Sequence, residues 1–294
     1  MYDIEFNIQD KGGKIVIRFA KYHGLGNDYL VLNAADIGEL DLFSVARKAC
    51  DRNYCIGSDG ILVGDISKSP ANFSLRIINP DGSEAEKSGN GLRIFSRYLW
   101  DTQQVTDAPF TIDTKGGLVT SQILDGGKQV RVEMGKVSFN STDIGMIGEP
   151  REVILEKINI LNQEFTFCGA SVGNPHCVIT DGEVTAEAVK KYGPYIEQDK
   201  RFMNRTNVQF MRVVDRGTIK IEIWERGAGY TLASGSSSTS AAAVAYRLGL
   251  CDQKIKVNMP GGQLLLEFDD SFNAIMTGPV IKIGEGSIHE ECLS

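Results

Sequence analysis

A repeat constrains this chain more than any single motif. Ser88-Gly89 returns as Ser234-Gly235, 146 positions later. Gly116-Gly117 returns as Gly261-Gly262, 145 positions later, and Gly135 returns as Gly278, 143 positions later. Each half runs in one order: strands, a glycine-flanked serine, a helix, a strand, a Gly-Gly turn, two strands and a glycine. Three landmarks in order at near-constant spacing mark a duplicated unit. The pattern predicts two pseudo-symmetric α/β domains in one chain of 294 residues, a length that accommodates two ordinary domains. Residues 136 to 152 hold glycines and a proline without a clear period, and read as the crossing between the halves.

The repeated serine stands where each half turns into a helix. In the first half Asn79-Pro-Asp-Gly82 is turn chemistry, and Ser88-Gly-Asn-Gly-Leu-Arg93 opens a helix whose Leu92, Phe95, Tyr98 and Leu99 line one face. In the second, Glu225-Arg-Gly-Ala-Gly229 precedes Ser234, and the run Ala241 to Ala245 ends at Leu248 and Gly249. Serine is a favoured N-cap, so each residue alone is explained by capping. A helix N-terminus also carries open N–H groups and partial positive charge, and binds anions. Two such ends brought together would seat one small carboxylate, which places the expected chemistry in a cleft between the halves.

Other glycine-rich turns have the same character. His23-Gly-Leu-Gly-Asn-Asp28 separates two strands and presents Asn27; because a strand follows, it is no dinucleotide fingerprint. Gly173-Asn-Pro-His176 precedes another strand. Strands are expected at Phe73 to Ile78, Phe110 to Asp113, Leu118 to Ile123, Val208 to Val214 and Thr218 to Trp224, and a helix over Ala186 to Tyr192.

Charge and composition exclude several classes. The formal charge is −7 and the pI about 5.2, with no basic patch, which argues against nucleic acid or an anionic membrane as partner. Met1 to Asp10 is acidic and alternating, unlike a signal peptide, and no apolar run approaches the roughly 20 residues of a membrane span. A soluble cytoplasmic protein is expected. The six cysteines form no C-x-x-C pair and read as reduced thiols, several of them buried; the three histidines have no metal-ligand spacing. No metal and no cofactor are expected.

Together these motifs resemble the diaminopimelate epimerase family, over roughly residues 18 to 285. The resemblance implies a fold of two similar domains, each a mixed sheet wrapped around a central helix, here divided as 1–135 plus 277–294 and 136–276. It implies a cofactor-independent isomerase of lysine and peptidoglycan synthesis, commonly a homodimer, acting on a small amino-acid substrate. In the family two cysteines flank the substrate α-carbon; one removes the proton as thiolate, and the other returns it from the opposite face. Asn27, Asn79, Asn174, Asn207, Glu225 and Arg226 stand where the family contacts substrate, mostly at its distal amino-acid end. The Arg226 fork suits a distal carboxylate. Gly89, Asn90, Gly235 and Ser236 fall where backbone amides hold the reacting carboxylate. His176 and Glu225 fall beside the cysteine positions.

At both cysteine positions the resemblance breaks, because Ser88 and Ser234 stand there. Ser236-Ser-Ser238 also replaces the usual Thr-Gly-Ala. A thiol ionises near pH ~8.5, and lower at a helix N-terminus. A hydroxyl is a far weaker acid and needs a neighbouring base, for which His176 and Glu225 are the candidates. Ser88, Ser234, His176 and Glu225 are thus the expected catalytic set. Other readings stay open: an amino-acid binder that does not turn its ligand over, a Cys-to-Ser trap, or a lyase begun by α-proton removal. In the related proline racemase group, Ser at one of the two positions is compatible with activity.

Overall fold

The structure, a computed structural model, describes residues 16–65 and 72–293. The acidic stretch Met1 to Asp10 and Ile15 lie outside the described residues. The chain divides into two compact units, one of residues 1–130 and 280–294, the other of residues 131–279.

In the first unit, strands β1 (Ile17–Gly24) and β2 (Asn27–Asn33) form an antiparallel hairpin. Helices α1 (Ala34–Ile37) and α2 (Leu42–Ala49) cross over to β3 (Ile61–Asp65), which therefore pairs with β2 in parallel. Then β4 (Asn72–Ile78) returns antiparallel, with the short β5 (Glu84–Ala85) at its end. Helix α3 (Gly89–Asp101) leads to β6 (Phe110–Thr114), parallel to β4, and to β7 (Gly117–Leu124).

The second unit repeats this connectivity. After β8 (Gln129–Lys136), the helix α4 (Ser141–Ile144) and β9 (Glu156–Ile160), strands β10 (Gln163–Ser171) and β11 (Pro175–Ile179) form the hairpin. Helix α5 (Ala186–Glu197) crosses to β12 (Asn207–Asp215), parallel to β11. Then β13 (Thr218–Glu225), the short β14 (Gly229–Thr231) and helix α6 (Gly235–Arg247) lead to β15 (Lys254–Met259), parallel to β13. Strands β16 (Gly262–Phe268) and β17 (Asn273–Pro279) follow, and β18 (Ile281–Ile288) returns to the first unit beside β1. In both units a Gly-Gly turn joins the strand after the central helix to the next. Gly117 and Gly262 hold positive φ there, at 101° and 138°, which a side chain would strain.

Why the central helices sit inside their sheets is visible in the strand residues. Strand β2 is buried on both faces, as a parallel-paired strand covered by helices must be. Leu30 and Leu32 pack with Val45, Ala46 and Ala49 of α2. Tyr29 and Val31 point the other way, toward α3. Helix α3 buries Leu92, Ile94, Phe95 and Leu99 completely against β1, β2, β3 and β7. Each such side chain contributes about 1.5–3 kcal/mol. In the second unit α5 covers an apolar cluster that includes Phe165, Phe167 and Phe210. Helix α6, with Ala241 to Ala245 all buried, fills the other side of that sheet.

Two elements differ from expectation. Helix α5 runs to Glu197, past Gly193-Pro194, instead of ending at Tyr192. Gly193 leaves no Cβ where the Trp224 ring lies, and Glu197 accepts hydrogen bonds from Trp224 Nε1 and Gly227 N. Those contacts hold the final turn although proline removes one helix bond. Strand β17 fills the place that the repeat order gives to a second strand before Gly278, but it runs on to Pro279, through the turn-like Thr277-Gly-Pro279. Its Ala274 and Met276 nonetheless alternate inward. Among the described residues no helix is long and apolar enough to cross a membrane.

The close approach of α3 to β3 is testable. A Cβ on Gly64 would run into the Phe95 ring at Cε2 and Cζ. Gly64→Ala is expected to lower stability by about 1–3 kcal/mol through overpacking, read as a reduced urea midpoint with an unchanged slope.

Candidate active site

Each unit presents a central helix capped by one of the two repeated serines. Ser88 is extended (φ −139°, ψ 117°), and its Oγ accepts the Gly91 N–H at 3.0 Å. Its carbonyl accepts the first intrahelical bond, from Leu92 N at 2.8 Å. The N–H groups of Gly89 and Asn90 precede that bond and have no acceptor within the helix. Ser234 repeats the geometry (φ −146°, ψ 129°), with Oγ accepting Ser237 N–H at 3.3 Å and its carbonyl accepting Ser238 N–H at 3.0 Å. Ser88 is half-buried and Ser234 buried. Both ends can therefore hold an anion on backbone N–H groups with a hydroxyl alongside.

Polar side chains brace the α3 end from below. Asn90 Nδ2 donates to Asn27 Oδ1 at 2.9 Å, and Arg93 Nη2 donates to Asn90 Oδ1 at 2.8 Å. Asn27 Nδ2 in turn donates to Asp59 at 2.8 Å, and Asp59 also accepts Arg52 at 2.8 Å. Arg52 and Lys21 both bind Asp28, at 2.6 and 2.9 Å. Burial works against the Asp28 carboxylate, but the hydrogen bonds from Arg52 and Lys21 outweigh it and hold its pKa below the usual range. Arg93 is fully buried, and burial pulls its pKa down to about 9, so it stays charged at neutral pH. Its guanidinium adds positive charge beside the first turn of α3. Asn79 is bonded inside its own turn, Nδ2 donating to Ser83 Oγ at 2.9 Å.

The α6 end has the matching brace. Gly173-Asn174-Pro175-His176 occupies the hairpin place that Gly26-Asn27-Asp28-Tyr29 occupies in the first unit. Asn174 Nδ2 donates to Ser236 Oγ at 3.4 Å, as Asn90 and Asn27 are joined across the same two places. His176 Nε2 lies 2.9 Å from Asn174 Oδ1, and Gln209 Nε2 lies 3.0 Å from His176 Nδ1 and 2.9 Å from Ser237 Oγ. With Gln209 donating to Nδ1, the ring is neutral and carries its proton on Nε2, toward Asn174. Burial drives the His176 pKa down to about 3; the Gln209 bond opposes this, and the charge of Arg226 adds to it. Asn207 joins two loops, accepting Arg226 N–H at 3.0 Å and donating to the Pro175 carbonyl at 2.9 Å. Arg226 is exposed, with Nη1 on the Asn204 carbonyl at 3.0 Å. Glu225 accepts the Thr231 hydroxyl at 3.2 Å.

Within the first unit the structure thus joins Asn27, Asn90 and the Ser88 cap, and within the second Asn174, His176 and Ser236, with Asn207 and Arg226 as a second pair. Sequence reading missed Tyr29, Asp59, Arg93, Gln209 and Glu197. Arg93 had a signal, a cation three residues after Asn90 and next to Leu92 and Ile94 in the buried first turns of the helix. Gln209 had one too, the single polar residue within Val208 to Met211. All six cysteines are free thiols. Burial raises the pKa of Cys50, Cys168, Cys177 and Cys251, the opposite of what a proton-abstracting thiolate needs.

The fold is shared with solved structures. The hydroxyproline epimerase of Agrobacterium vitis, with bound trans-4-hydroxy-L-proline, matches with a TM-score of 0.68 and 13% identity, covering 93% of this chain and 92% of that one. A predicted epimerase from Pseudomonas aeruginosa matches with a TM-score of 0.66 and 16% identity, covering 92% and 98%. The fold is that of this group of epimerases and racemases. Sequence relatives narrow it. The family model for diaminopimelate epimerase matches residues 19–140 and 168–283. "Diaminopimelate epimerase 2" of a Nostoc species is 58% identical over 275 residues, 94% of this chain and 96% of that protein. The diaminopimelate epimerase of Desulfitobacterium hafniense is 34% identical, covering 95% of this chain and all of its own length. The chain belongs to the diaminopimelate epimerase family, and is an isomerase of the epimerase kind.

The His176 environment makes a prediction about acid stability. Its folded pKa lies below the ordinary 6.5, so unfolding takes up a proton wherever the free imidazole is charged. The stability it contributes is complete above about pH 6.5 and is lost as pH falls toward 3. In urea titrations from pH 7 to 4, the wild type should lose about 1.4 kcal/mol per pH unit more than His176→Gln below pH 6. Parallel curves would contradict the buried neutral ring.

Proposed function

We propose that this protein epimerises diaminopimelate at one α-carbon, interconverting the LL and meso forms without a cofactor. The observation that carries the reading is the pair of serine-capped helix ends, each braced by an asparagine from the neighbouring hairpin. The α-carboxylate rests on the N–H groups of Gly89, Asn90, Gly235 and Ser236. One hydroxyl from each unit, Ser88 and Ser234, addresses the α-carbon from opposite faces. Asn79, Asn207, Glu225 and Arg226 recognise the distal amino-acid end, with Arg226 forked onto its carboxylate. Asn27 and Asn174 order the two carboxylate-binding ends. Membership of the family and the names of the relatives support the substrate. Action in the cytoplasm as a homodimer is part of the same proposal.

His176 takes a different part from the one expected of it. A ring with both nitrogens engaged and a pKa near 3 is a poor base at neutral pH. We assign it to positioning, as the neutral spacer that fixes the Asn174 amide. Glu225, which accepts the Thr231 hydroxyl, keeps the proposed role of carboxylate acting at the α6 end.

A second reading has its own support. Two hydroxyls without an adjacent imidazole base are weak proton carriers, and a chain that binds its amino acid without turnover would keep all the bracing described. Proton exchange separates the two. In D₂O, NMR should show α-proton exchange with LL- and meso-diaminopimelate, accompanied by inversion. Ser88→Ala or Ser234→Ala should lower the rate by about 10²–10⁴-fold. Ser88→Cys combined with Ser234→Cys should raise it, since a thiolate forms far more readily at a helix N-terminus. Calorimetric binding without exchange would establish the silent binder instead, and exchange with loss of a β-group would indicate a lyase.

A further inference from the structure

The two capped ends are not chemically equivalent, and the difference lies at Tyr29. This residue holds the hairpin place in the first unit that His176 holds in the second. Where His176 turns to Asn174 and Gln209, the Tyr29 hydroxyl lies 3.5 Å from Ser88 Oγ. Tyr29 is buried, and Gly60 makes room for its ring: a Cβ there would come within 2.7 Å of Tyr29 Cε1 and 2.8 Å of the Ile78 carbonyl. The ring is therefore wedged on the α3 side of the sheet with its hydroxyl at the helix cap. We propose that Tyr29 is the proton-relay partner of Ser88, supplying at the α3 end the acid–base capacity that a lone serine lacks.

The inference rests on the epimerase reading above. Ser88 Oγ already accepts the Gly91 N–H. With Tyr29 donating as well, both lone pairs are engaged, and the serine's own proton is left to face a ligand. When this end returns the proton, the Ser88 O–H bond breaks as the Cα–H bond forms. The Tyr29 proton moves to Ser88 Oγ, and the charge of the carbanion ends on the phenolate. A phenol, with a pKa of about 10, is a stronger acid than an alcohol, so the relay spares the site a bare alkoxide. Solvent restores the phenol after release; in the reverse direction the phenolate draws the α-proton through Ser88. A cysteine at position 88 would ionise by itself and need no such partner.

Tyr29→Phe keeps the ring and removes only the hydroxyl. The measurement is α-proton exchange of diaminopimelate in D₂O, made in two backgrounds, the natural sequence and Ser88→Cys with Ser234→Cys. The relay predicts a fall in kcat of about 10²-fold in the natural background with KM unchanged, and less than about threefold in the double-cysteine background. It also predicts a curved dependence of rate on deuterium fraction that becomes linear in Tyr29→Phe. An equal fall in both backgrounds would show a packing role and overturn the relay, as would an unchanged rate in the natural one. A natural sequence without exchange would overturn the epimerase reading and the relay together, whereas exchange that survives Tyr29→Phe overturns the relay alone.

Discussion

The hydrogen bond that the third N–H of a helix donates to a serine hydroxyl oxygen, made once at α3 and once at α6, is the contact on which the candidate site depends. It closes one open donor of each first turn and leaves the earlier ones for a ligand. It also fixes the hydroxyl beside those donors. A helix end on the outside of a protein would do this in water, where an anion is screened. Here α3 packs against β1, β2, β3 and β7, and α6 against β10, β11, β12, β13 and β16, so each cap and its neighbouring asparagine lie among packed strands. Those strands are of mixed pairing: each unit has two parallel joints where a helix crosses over, and antiparallel pairs elsewhere.

A connected set of polar side chains in each unit serves that arrangement, with Asp28, Asn90, Arg93, His176 and Gln209 among its buried members. In the first unit a chain of contacts runs from Lys21 and Arg52 through Asp28 and Asp59 to Asn27 and Asn90, with Arg93 closing it under α3. In the second a shorter chain runs from Gln209 through His176 to Asn174. One brace is charged and the other neutral. Buried polar groups cost stability unless they are bonded, so such chains persist where their geometry is needed. The result is two ends alike in backbone and unlike in surroundings: a phenol beside Ser88, and a locked imidazole two residues beyond Asn174.

Much of this was legible in the residues. The Ser-Gly and Gly-Gly landmarks gave the duplicated connectivity, because capping and positive φ are local demands that sequence states directly. The helix positions of Leu92, Phe95 and Leu99 were equally plain. Contacts between elements distant in sequence were not. Nothing near His176 indicates that Gln209 will occupy its Nδ1, so a histidine beside the site reads as a base until the ring is seen enclosed. Tyr29 reads as an ordinary strand aromatic until Gly60 is seen to seat it against the cap. Helix α5 overran its apparent stop at Gly193-Pro194, because Trp224 and Gly227 anchor its last turn from elsewhere in the unit.

The proposed chemistry asks the Ser88 and Ser234 hydroxyls to address a single α-carbon. A crystal structure with bound meso-diaminopimelate tests it most directly. The account predicts Ser88 Oγ and Ser234 Oγ on opposite faces of the same α-carbon, each at a near-attack distance of about 3–3.5 Å, with its carboxylate on the first N–H groups of both helices. A ligand held on one helix end alone, with the other hydroxyl out of reach, would contradict it.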